Sequence, residues 1–160
     1  MTQKLEITYK IANSKKEFDD GKKLFKQYII SLNLDLSFQD FTNELKMIDI
    51  QYNKPKGALL LAYKEKIAVG CLGIREFNIE TAELKRMYVQ TEYRGHQIGR
   101  KLLEISLEIA EKLKYNKIRL DTLPSMTQAQ NLYRIFGFYE IPSYRFNPIN
   151  GTVYMEKNLT

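Results

Sequence analysis

The residues best suited to chemistry cluster after a short apolar stretch that ends at Val89. Arg94-Gly95-His96-Gln97-Ile98-Gly99-Arg100-Lys101 then leads into an amphipathic run. Gly95 and Gly99 remove side chains where a ligand must approach the backbone. A helix starting near Gly99 leaves its first N–H groups without intrahelical partners, at the positive end of the dipole. Arg94, Arg100 and Lys101 add positive charge. Such a turn suits a pyrophosphate. It is not a Walker loop, because the Gly-Lys-Ser/Thr ending is missing. Nor does its glycine spacing match a dinucleotide fingerprint. The competing reading is a plain strand-to-helix turn with two glycines.

Other reactive side chains are scarce. Cys71 is the lone cysteine and His96 the lone histidine. That excludes an intramolecular disulfide framework and a cysteine-rich zinc site, and no metal is expected. Cys71, within Val69-Gly70-Cys71-Leu72, reads as a small core residue. His96 lies inside the turn, facing solvent or phosphates. The chain has 160 residues, 44% hydrophobic and 28% charged, which fits one domain over residues 1–160. Twenty-five basic residues against nineteen acidic give +6, which favours an anionic partner. The signs are intermixed, so a nucleic-acid partner is not expected. No run reaches the roughly 18 apolar residues of a membrane span, and no signal-peptide core opens the chain. The expected location is the cytoplasm, without a membrane partner.

The elements that must position the turn follow from periodicity. Residues 5–11 alternate as a half-buried strand. Asn13-Ser14 before Glu17 resembles a capping box. Helical spacing runs from Phe18 to Leu32, and a second helix is expected over residues 38–50. Residues 58–63 and 67–74 form a hairpin across Lys64-Glu65-Lys66. The next strand covers residues 82–89, with Glu83, Lys85, Met87 and Val89 on one side if it is regular. A helix over 97–114, a strand over 117–123, and a helix over 126–136 stopped by Gly137 come next. Short strands over 138–141 and 152–157 close the chain. The order β-α-α-β-β-β-α-β-α-β-β predicts an α/β (α+β) fold around one mixed sheet.

With these residues in view, a family resemblance emerges. Val89-x4-Arg94-Gly95-x-Gln97-Ile98-Gly99-Arg100-x-Leu102-Leu103 resembles the acetyl-CoA-binding motif of the GNAT superfamily of N-acetyltransferases. Ala129-x2-Leu132-Tyr133-x3-Gly137-Phe138 resembles its second signature, at a fitting distance. Gln97 stands where glycine is frequent, and Met126 where many members have asparagine. The resemblance covers nearly the whole chain.

The resemblance implies splayed strands forming a CoA cleft. The pantetheine arm would pair with the strand carrying Met87, Tyr88 and Val89, as an added strand does. The pyrophosphate would lie on the amides of Arg94, Gly95, His96, Gln97, Ile98, Gly99, Arg100 and Lys101. Acetyl-CoA is then a cosubstrate, and the partner is a small-molecule or peptide amine. Tyr133 would be the general acid near the sulfur, Val89 the oxyanion donor, and Glu83 the base. Asp121 is a second candidate for the base. The acceptor pocket would be built by residues 14–50 and 143–151, and a homodimer is compatible with the family. A non-catalytic acyl-CoA-binding module is the alternative.

Overall fold

The computed structural model describes residues 5–33 and 40–159. Its elements are β1 (Thr8–Ile11), α1 (Lys15–Leu32), α2 (Phe41–Lys46), α3 (Ile48–Gln51), β2 (Ala58–Lys64), β3 (Ile67–Glu76) and β4 (Thr81–Val89). A 3-10 turn at Thr91–Tyr93 then leads into α4 (Ile98–Lys112), β5 (Lys117–Thr122), α5 (Thr127–Ile135), β6 (Tyr139–Ile141) and β7 (Val153–Asn158). The strands form one sheet in the order β1-β2-β3-β4-β5-β7-β6. Only β4 and β5 run parallel. The expected mixed sheet is therefore present. The helix expected over 38–50 is instead two short ones, broken at Met47, and Phe38 lies outside the described residues.

Local chemistry explains the main elements. Ser14 Oγ accepts from the Glu17 amide, while Glu17 reaches back to the Asn13 amide, so α1 starts capped. Gly137, at φ 96°, ends α5, and the Phe138 amide closes the turn onto the Tyr133 carbonyl. β2 reads Ala-Leu-Leu-Leu-Ala-Tyr because both of its faces are covered. Leu60, Ala62, Leu72 and Ile74 pack in one core with Ile98, Leu102 and Leu103 of α4. Leu59, Leu61 and Cys71 pack in the other with Phe18, Leu24 and Phe25 of α1 and Ile48 of α3. No helix among the described residues is long and apolar enough to cross a membrane.

Two features shape the functional end of the sheet. The first is a bulge in β4. Cys71 opposes Tyr88 and Gly73 opposes Lys85, so Leu72 alone faces both Arg86 and Met87. Arg86 sits at φ 59°, in the left-handed region that a long side chain rarely adopts. The alternation therefore resets. Met87 and Val89 pack against the core that holds Leu84, while Tyr88 packs on the opposite core with Cys71. The expectation that Glu83, Lys85, Met87 and Val89 share one side thus fails beyond Lys85.

Several contacts hold the bulge. Arg86 donates to Glu44 Oε1 at 2.8 Å and to Oε2 at 3.3 Å, with both side chains buried. Its guanidinium lies 5.4 Å from the centre of the Phe41 ring. The Cys71 thiol donates to the Arg86 carbonyl at 3.3 Å, and burial raises its pKa. The Tyr52 hydroxyl donates to Glu44 at 2.7 Å, and the Tyr52 ring packs edge-on against Phe25.

The second feature is a split. β4 and β5 pair only at Thr81–Lys117, Ala82–Ile118 and Glu83–Arg119. From Leu84 onward they separate, while β5 stays paired with β7 along its whole length.

Two measurements test this framework. A Cβ at Gly73 would meet Tyr52 ring carbons at 2.5 and 2.7 Å, and the ring is fixed on both sides. Gly73→Ala is expected to lose about 2 kcal/mol in urea unfolding. Gly99→Ala, with nothing within 4 Å of the new Cβ, is expected to leave the midpoint nearly unchanged. Burial pushes the Glu44 carboxyl up, but Arg86 beside it, aided by Tyr52 and Lys85, outweighs that and holds its pKa below the usual 4.5. Its stabilising effect is therefore full above pH 4.5 and fades as pH falls through the lowered value. Glu44→Gln is expected to cost about 3 kcal/mol at neutral pH, with the gap to wild type closing on acidification.

Candidate active site

The split opens a groove of about 910 Å³. One wall is the end of β4, with Met87, Tyr88 and Val89. The floor continues through Arg94, Gly95 and the start of α4, from Gln97 to Arg100. The opposite wall is Ser125, Met126 and the first turns of α5. The turn is built for an anion. Gly95 has φ 85° and Gln97 φ 64°, and left-handed residues in such a turn allow neighbouring amides to converge on an anion. α4 starts with no side-chain cap and no acidic residue in its first turn. Gly99 has no atom within 4 Å of where a Cβ would stand. Arg94 is braced by a 2.9 Å bond to the Val89 carbonyl and stands over the Tyr88 ring.

Of the residues expected to hold a cofactor, Met87, Tyr88, Val89, Arg94, Gly95, Gln97, Ile98, Gly99 and Arg100 line this groove. The side chains of His96 and Lys101 do not. His96 is exposed, and Lys101 points to Glu104 at 3.6 Å. Tyr28 and Ser31 of α1 also line the groove, and nothing in the sequence marked them. Tyr28 bridges to the far wall, with its hydroxyl 3.6 Å from the Met126 sulfur. Thr122 approaches the same sulfur at 3.9 Å.

At its inner end the groove meets a cavity of about 60 Å³ at the apex of the split. Tyr133, Lys85, Asp121, Met87, Met126 and Asn147 are among its lining residues. Tyr133 is buried, and its hydroxyl bonds to no described residue. Burial, with Tyr28 and Asp121 nearby, raises its pKa above the ordinary value, so it stays a proton donor at neutral pH. Lys85 is buried as well, and its ammonium pKa is pushed down to about 8. Burial is the main cause. Arg86 and Arg75 add to it, while Glu83 and Asp121 oppose it.

Glu83, expected as the base, is engaged on both carboxylate oxygens. Its Oε1 accepts from Arg75 at 3.1 Å, and its Oε2 is taken by Arg145 and by Tyr144 at 3.0 Å. Burial raises its pKa, but Lys85, Arg75 and Arg145 outweigh that and lower it. With both oxygens engaged and basicity reduced, Glu83 anchors the 143–151 loop to the sheet. Asp121 is the contrast: its Oδ2 is buried and has no hydrogen-bond partner among the described residues. Among the described residues no cluster of three metal-binding side chains occurs.

Comparison with known proteins agrees with this geometry. Residues 25–138 match the model of the acetyltransferase (GNAT) family. An uncharacterised N-acetyltransferase of Schizosaccharomyces pombe is 36% identical over 146 residues, covering 90% of each chain. An acetyltransferase of the GNAT family from Staphylococcus aureus superposes with TM-score 0.79 at 22% identity, covering 97% of this chain and 100% of that one. A Salmonella typhimurium protein of acetyltransferase type, solved with its cofactor acetyl-CoA, superposes with TM-score 0.70 at 14% identity, over 96% and 94% of the chains. The two solved structures share the fold, and the family match and the yeast relative share the sequence. The chain belongs to the GNAT family of acetyltransferases.

Proposed function

We propose that this protein moves an acetyl group from acetyl-CoA to a primary amine, by direct transfer with both substrates bound. One observation carries the reading. A groove with uncapped amides at one end leads between two separated strands to a buried phenol with no partner among the described residues. The amides at the start of α4, with Arg94 and Arg100, suit the pyrophosphate. The pantetheine amides would run along β4, which has no strand partner on that side beyond Glu83. The thioester supplies an activated acetyl carbon at the cavity.

The surrounding groups have matching tasks. The acceptor enters as an ammonium ion and must lose a proton before its nitrogen can attack. Asp121 Oδ2 is the buried oxygen with a free lone pair for that proton. It takes over the role that Glu83, tied to Arg75 and Arg145, is poorly placed to fill. The Val89 amide is the donor for the developing oxyanion. As the carbon–sulfur bond breaks, Tyr133 gives its proton to the thiolate and recovers one from the nitrogen. Asp121 then releases its proton to water. Among the described residues no cysteine or serine lines the cavity, which suits direct transfer rather than an acyl-enzyme.

Two variants test the placement. Gly99→Glu puts a side chain and a negative charge into open space at the turn. It is expected to weaken acetyl-CoA at least roughly tenfold in calorimetry without loss of fold; unchanged affinity would move the site elsewhere. Tyr133→Phe keeps the ring that packs on Phe138, 5.5 Å away, and removes only the proton donor. Turnover is expected to fall about a hundredfold while acetyl-CoA affinity holds. Undiminished turnover would assign thiolate protonation to another group.

A further inference from the structure

We propose that the acceptor is a free α-amino acid, held at the apex of the split with its ammonium on Asp121 and its carboxylate on Lys85. The inference rests on the acetyltransferase reading above and adds the substrate class. Lys85 and Asp121 are the first same-face residues beyond the last rung, Glu83–Arg119. They face each other where the strands have begun to part, and both line the apical cavity.

The pair is unsaturated in a way its neighbours are not. On this face Glu44 is matched by Arg86, Glu83 by Arg75 and Arg145, and Glu156 by Arg119 at 2.6 Å. Lys85 Nζ stands 3.8 Å from Asp121 Oδ1, too far for a hydrogen bond, and bonds to no other described residue. The two side chains are only 3% and 8% exposed. Asp121 Oδ2 is the one side-chain polar atom among the described residues that is both shut off from solvent and without a partner. Leaving such groups unmet is costly, and a ligand that meets both recovers that cost.

An α-amino acid has the right charges at the right spacing. Its nitrogen and carboxylate oxygens stand about 3 Å apart by covalent geometry. It can bridge the pair in antiparallel fashion, ammonium to Asp121 and carboxylate to Lys85. It also brings no net charge into a buried site. A diamine would add positive charge beside Lys85, Arg86 and Arg75, and a diacid without an amine would face Asp121 and Glu83. Below about pH 8 Lys85 is charged and ready for a carboxylate. The side chain of the acid would lie toward Leu32 and Asn147, at the wall formed by α1 and the 143–151 loop.

The test pairs free α-amino acids of acidic, basic and apolar type with their carboxamides, and adds linear diamines. Thiol release and product mass are followed with acetyl-CoA present, and acetyl-CoA affinity is measured separately. Wild type is expected to favour the best free acid over its own amide at least roughly tenfold in kcat/KM, chiefly through KM. Lys85→Met, which keeps the length of the chain and drops the charge, is expected to erase that preference. Equilibrium binding of the same acid against its amide to the wild-type CoA complex gives the same comparison if the variant does not fold. Equal rates on acid and amide, preference for diamines, or acetyl-CoA binding with no amino acid acetylated would each overturn the inference. Absence of acetyl-CoA binding would instead overturn the acetyltransferase reading on which it depends.

Discussion

A positive φ at Arg86 sets the geometry of everything around it. For a long side chain that conformation costs about 1–2 kcal/mol, and it persists because its surroundings over-determine it. Glu44 takes the guanidinium with both oxygens, Cys71 donates to the carbonyl, and Phe41 covers the charge. The extra residue turns Met87 and Val89 away from the face that carries Glu83 and Lys85. Beyond Glu83, β5 stays paired with β7 while β4 stays paired with β3. The groove lies where each strand keeps its outer partner and the two lose each other.

The two faces of the sheet divide the labour. The face under α4 is almost wholly apolar, aliphatic and aromatic. The face under α1, α2 and the 143–151 loop buries Glu44, Glu83, Lys85 and Arg86 near the split. Buried charges in such number are tolerable only when closely matched, and most of them are. Tyr144 and Phe77 flank the Arg119 guanidinium at 4.9 and 4.8 Å, and Tyr144 also donates to Glu83. These contacts hold the 143–151 loop against the sheet. Within this closely matched frame, the contact between Lys85 and Asp121 at 3.8 Å is the loose one.

Much of this was legible in the sequence, for local reasons. The start of α4 announces itself through Gly95, Gly99 and the change to helical period, all within one stretch of chain. β2 and the stop at Gly137 follow from apolar patterning and glycine chemistry. The bulge was not legible, because Lys85-Arg86-Met87 alternates as acceptably as a regular strand. Only the partner register reveals the extra residue. The division of α2 from α3 at Met47 carries no proline or glycine to mark it. Glu83 was assigned a base's task from its place on the strand. Its two arginines come from β3 and the 143–151 loop, and that meeting is a tertiary fact. Tyr28 likewise reads as one more apolar position on α1 until α5 is set opposite it.

The split has one more consequence, for association between molecules. A strand edge with unpaired amides is a template on which another chain can grow a sheet. The outermost strands here, β1 and β6, have only four and three residues. The longer unpaired edge, along β4 beyond Glu83, lies inside the molecule between Tyr28 and the wall of α5. The backbone that is free to receive an extended ligand is thus withheld from neighbouring chains. The fold shields this hydrogen-bonding edge from the edge-to-edge pairing that leads to aggregation.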